Sequence, residues 1–97
     1  MLTAMFISCI ASVVTGSQHC SVSYTEMETL ASNKTECLMV ARRMQDTVAK
    51  DLLREHPTVE YKRKEVKCGT RVEMLTQVIS EFKSISARGI PVEELEF

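Results

Sequence analysis

The chain of 97 residues has no tryptophan, two tyrosines and three phenylalanines. Its interior must therefore be aliphatic, built on Leu, Val, Ile and Met. Its three glycines are dispersed, so no Gly-rich phosphate loop can be assembled. No CxxC or HExxH spacing occurs, which removes the usual local signatures of a zinc site. A formal net charge of -1 argues against a general polyanion binder, because phosphate recognition draws on a surplus of Lys and Arg. No apolar run approaches the ~20 residues that a membrane-spanning helix needs. No Cys-His pair has a local nucleophile signature or an evident third orienting group, so no catalytic residue is assigned. No cofactor is assigned either.

What is present fits one small domain over residues 1–97. Met1 to Val14 is apolar and uncharged, and two readings compete for it. One is a secretory leader over residues 1–16, with Val14-Thr15-Gly16 as the cleavage region, although no Lys or Arg precedes the apolar run. The other is a buried strand over Thr3–Ser12, a turn at Thr15-Gly16-Ser17, and a second strand over Cys20–Met27. Cys20, Val22 and Tyr24 alternate there with Ser21, Ser23 and Thr25, the pattern of a half-buried strand. Cutting near Gly16 would leave an odd number of cysteines, which favours retention. The protein would be secreted or extracytoplasmic under the first reading and cytoplasmic under the second.

Asn33, followed three residues later by Glu36, resembles a helix-capping arrangement. Cys37, Val40, Ala41, Met44, Val48 and Leu52 then recur at spacings of three and four, which predicts an amphipathic helix with that stripe inward. Pro57 cannot continue a helix and disfavours helical geometry at His56, so the helix should end near Arg54 or Glu55. An extended segment follows over Thr58–Cys68. Its apolar positions change parity between Tyr61 and Val66, which predicts a bulge or two shorter pieces. Lys62, Arg63, Lys64 and Lys67 fit the wet, guarded edge of a strand better than a nucleic-acid patch.

Thr70 with Glu73 matches a capping box, and Gly89 and Pro91 are stop signals, so a second helix should run to about Ala87. Its apolar residues, Val72, Met74, Leu75, Val78, Ile79, Phe82 and Ile85, cover more of the circumference than one core contact requires. Either the helix is buried between two surfaces of its own domain, or part of this face meets a partner. Residues 88–97 mix Ile90, Val92, Leu95 and Phe97 with three glutamates, as a packed extension or a flexible docking tail.

The cysteines are weighed by geometry. A 20-residue helix rises about 30 Å, and a ten-residue strand returns about 33 Å. Cys68 can therefore come back to the level of Cys37, and these two are expected to be a disulfide or a close thiol pair.

The fold expected is α+β, in the order ββαβα: an N-terminal hairpin, a long helix, a third strand beside the hairpin, and a C-terminal helix. For function, the pattern favours a small non-catalytic protein-interaction module of the accessory or inhibitor type, a class that includes inhibitors encoded by viruses. Its partner-binding residues would be Met74, Val78, Phe82, Ile85, Leu95 and Phe97, and its partner another protein or a second copy in a homodimer. The alternative is a metal-binding or redox protein using Cys9, Cys20, Cys37 and Cys68 with His19.

Overall fold

A computed structural model describes residues 2–28 and 30–96, with residues 95 and 96 described by their backbone alone. In chain order the elements are β1 (Leu2–Ser12), β2 (Gln18–Glu26), α1 (Lys34–Glu55), β3 (Val59–Thr70), α2 (Arg71–Ala87) and β4 (Val92–Glu96). The fold is the small α+β domain expected, with one strand added at its C-terminal end. The four strands form one sheet in the order β3-β1-β2-β4. β1 pairs antiparallel with both β2 and β3, and β4 joins β2 in parallel.

β1 is therefore a central strand, which accounts for its uncharged and mostly apolar sequence. Met5, Ile7 and Cys9 on one face pack with Cys20 and Val22 against Met74, Val78 and Ile85 of α2. Ala4 and Phe6 on the other face belong to a second cluster with Cys37 and Ala41 of α1, Cys68 of β3, and Met27 and Ala31. The two helices thus cover opposite faces, and a strand buried on both faces needs apolar residues at both parities.

Local signals are realised closely. The β1–β2 hairpin turns through Gly16, whose φ of 74° lies in the region that favours glycine. Ser12 Oγ accepts from the backbone N–H groups of Val14 and Thr15, at 3.2 Å each. Asn33 Oδ1 accepts from the N–H of Glu36 at 2.8 Å and caps α1. The capping box of α2 has both arms: Thr70 Oγ1 accepts from the N–H of Glu73, and Glu73 Oε1 accepts from the N–H of Thr70. Along β3 the register passes from Arg63 opposite Cys9 to Tyr61 opposite Ile10. Lys62 is the extra residue, so the parity change is a bulge.

The basic run lies on an edge strand. Lys62 pairs with Glu60, Arg63 with Glu65 and Glu81, and Lys64 with Asp46.

α1 departs from the expected stripe in its rotation. The residues it buries are Cys37, Ala41, Gln45 and Ala49. This is a single i, i+4 line of mostly small side chains, which lets the helix axis come close to the sheet. The larger residues Val40, Met44, Val48 and Leu52 are turned to one flank, where Val48 remains 53% exposed. A wheel of apolar residues gives the mean direction of the apolar arc, and close packing selected its edge of small side chains instead.

A candidate binding cleft

α2 packs against all four strands, whereas α1 packs on β3 and β1. The β2 side of the α1 face is therefore left open, and a cleft of about 590 Å³ lies there. One wall is the turned flank of α1, with Met44, Val48 and Leu52 on successive turns beside Thr47. Phe6 and Ile10 of β1 and Tyr61 of β3 continue the apolar lining. The floor is made of the small hydroxyl residues Ser8, Ser21 and Ser23. Ser21 and Ser23 stand opposite Ser8 and Phe6 in the register, which sets them on this same face. The far wall is His19 and Glu93, whose Nε2 and Oε1 are 2.8 Å apart.

Gln45 closes the base of the cleft beneath α1. Its Nε2 donates to the carbonyl oxygens of Ile7 and Glu65 and faces Ser8 Oγ at 3.4 Å. Among the described residues Glu93 is the lone carboxylate in the lining, and neither Lys nor Arg lines the cleft. Burial raises the phenol of Tyr61 above its usual value, against an opposing effect of Lys64, whose Nζ is 5.9 Å from the ring centroid. The cleft is thus apolar along α1, lightly polar beneath, and negative at one side. Such a lining, apolar with a few polar groups, is of the kind that takes a ligand or a partner's side chains.

The positions singled out from sequence have these places. Cys37 and Cys68 form a disulfide with Cα atoms 6.3 Å apart, tying α1 to β3. Cys9 and Cys20 form a second, between directly opposed residues of β1 and β2. No free cysteine is left among the described residues. The described residues contain no group of three or more His, Cys, Asp or Glu able to hold a metal ion.

Met74, Val78 and Ile85 are buried in the core beneath α2, so this face is covered by the chain's own sheet. Phe82 is half-buried. Leu95 belongs to β4 by its backbone, its side chain lies outside the described residues, and so does Phe97. What α2 does present to solvent is a different flank, carrying Val72 and Ile79, exposed by 76% and 54%.

The cleft itself was not singled out from sequence. Two signals for it existed. The apolar arc of α1 is wider than the line it buries, and Ser21 and Ser23 of β2 alternate with Cys20, Val22 and Tyr24. Neither reveals that α1 is set over β3 and β1, because that placement is a matter of topology and of the Cys37–Cys68 bridge.

Among the described residues no helix is long and apolar enough to cross a membrane. Comparison with protein-family models, with curated proteins and with solved structures finds no match.

Proposed function

We propose that this protein is a small, disulfide-stapled, non-catalytic interaction module of the accessory or inhibitor type, with the cleft beside α1 as its contact surface. The observation that carries this reading is the half-covered sheet face. A cleft of about 590 Å³ with Met44, Val48 and Leu52 along one wall presents apolar surface at its rim, where Val48 is 53% exposed although Met44 also packs against the core. Exposed apolar patches rimmed by polar groups are typical of contact sites. The cover over Met74, Val78 and Ile85 moves the reading away from the inner face of α2. Both cystine bridges lie in or against the core, which favours a structural role for the cysteines over metal or redox chemistry. They also favour an oxidising compartment.

Affinity capture tests this, using an extract of the cells in which the protein occurs. Wild type, Val48→Glu and Ile79→Glu are immobilised side by side. The reading predicts a partner retained by wild type and Ile79→Glu and lost from Val48→Glu. Loss from Ile79→Glu alone would move the contact surface to the outer flank of α2.

A further inference from the structure

The shape of the open face indicates what fills it. Among the described residues α1 packs on β3 and β1 and leaves the other two strands of this face, β2 and β4, without a helix over them. At about 4.8 Å per strand this is roughly 10 Å, the width of one α-helix with its side chains. The wall beside the strip presents Met44, Val48 and Leu52 at i, i+4 and i+8, the ridge that a neighbouring helix packs against. Beneath it, Ser21 and Ser23 are small enough to allow a helix to approach the sheet closely.

Charge narrows the choice further. Glu93 stands on the far wall, 57% exposed, with its Oε1 2.8 Å from His19 Nε2. Glu55, exposed, falls on the same flank of α1 as Val48, seven residues on. No Lys or Arg lines the cleft among the described residues. A cation on the occupant would meet Glu93 on the far wall and Glu55 beyond the end of the α1 wall, whereas an anion would find no Lys or Arg among the described lining residues.

We infer that the cleft takes an amphipathic α-helix of a partner protein, two to three turns long, with Lys or Arg flanking its apolar stripe. This rests on the reading of the cleft as the contact surface. The partner helix would complete the layer that α1 begins, as helix-in-groove recognition does elsewhere.

Two synthetic amphipathic peptides with one Leu/Ala stripe, flanked by Lys in one and by Glu in the other, test the inference. Each is titrated into the ¹⁵N-labelled full chain, and amide shifts are followed. The Lys peptide should move amides of residues 44–52 and 19–25 and bind at least tenfold more tightly than the Glu peptide. Val48→Arg, at an exposed position, should weaken it at least tenfold with the rest of the spectrum unchanged. Glu93→Lys should narrow or reverse the preference between the peptides. Equal binding of both peptides, no binding, or shifts centred on Val72 and Ile79 would overturn the inference. The same amides moving with protein concentration alone would assign the cleft to a second copy and overturn a separate partner. If the peptides fail while capture still depends on Val48, the helix is wrong and the contact surface stands.

Discussion

The side-chain amide of Gln45 reaches the carbonyl oxygens of Ile7 at 3.2 Å and Glu65 at 3.1 Å, two residues that face each other across the β1–β3 register. One polar group on α1 therefore binds both strands beneath it. Gln45→Ala should cost about 1–3 kcal/mol, since it opens a gap and removes the donor from buried carbonyls. Gln45→Glu is the sharper test, because it keeps the shape and turns a donor toward two acceptors into a third acceptor. It should be less stable than Gln45→Ala at pH 7 and recover toward wild type at acid pH, where the protonated carboxyl can donate. Urea denaturation at both pH values measures this, and a variant as stable as wild type at pH 7 would show that the contact contributes little.

The two bridges close loops of very different reach, with sequence separations of 31 for Cys37–Cys68 and 11 for Cys9–Cys20. The loop-entropy relation gives about 4 kcal/mol for the longer and about 3 kcal/mol for the shorter. Replacing Cys37 and Cys68 by serine should cost more, and should also loosen α1 over β3, reported by faster amide exchange in α1 than in α2. A thiol count on the denatured protein should find none before reduction and four after it. Free thiols before reduction would remove the staple from the account of the cleft.

Acid should weaken the domain through its paired carboxylates. The Arg63 guanidinium holds the Glu81 carboxyl below its usual range, and Arg63 Nη1 lies 3.0 Å from Glu81 Oε2. Lys64 lowers Asp46 in the same way, and bonds to Thr70 lower Glu73. For a carboxylate lowered on folding, the stability gained is complete above its unfolded value, near 4.3 for Glu. It is lost as pH falls through the lower, folded value. Denaturation midpoints should therefore hold from pH 7 to about 5 and decline below it. Glu81→Gln should cost about 1–2 kcal/mol at neutral pH and flatten the acid limb. An unchanged limb would mean the Arg63 pair adds nothing beyond an exposed one.

Met74 and Ile85 are buried beneath α2, and Ile79 is exposed. Glutamate at either buried position strands a charge in the core, and the loss should exceed about 4 kcal/mol, enough to unfold most of the protein. Ile79→Glu should change stability by less than about 0.5 kcal/mol. Circular dichroism and light scattering together would separate folding from assembly. A folded Ile85→Glu variant whose solution mass had dropped would restore the inner face of α2 as an interface between copies.

Much of the fold could be read from single residues. Asn33, Thr70, Glu73, Gly16 and Pro57 set caps, turn and stop, because each acts on backbone groups within a few positions. The bulge at Lys62 was visible as a parity change, since strand faces alternate strictly. The Cys37–Cys68 pair followed from the lengths of α1 and β3. What could not be read is what depends on distant packing. Gln45 is polar and would be placed in water by any pattern, yet it is buried because two strand carbonyls await it. Val48 is apolar and would be placed inside, yet it lines an open cleft. β4 was a tail with three glutamates until β2 offered it an edge. The cleft itself is an absence of cover, and no residue pattern encodes where a helix is not.

The position of β1 at the centre of the sheet sets an order of events during synthesis. It leaves the ribosome before the other elements of this domain, yet one of its partners, β3, ends 58 residues after β1 does. Until Thr70 has emerged, β1 is an apolar strand with one unpaired edge and its α2 face bare, the profile of a segment prone to intermolecular pairing. The short β1–β2 hairpin is the local structure available in that interval, and the Cys9–Cys20 bridge can lock its register before β3 arrives. The antiparallel hairpin with its own cross-link thus serves as a holding structure for the nascent chain. Of the two bridges, it is the one whose formation can protect the protein before it is a protein at all.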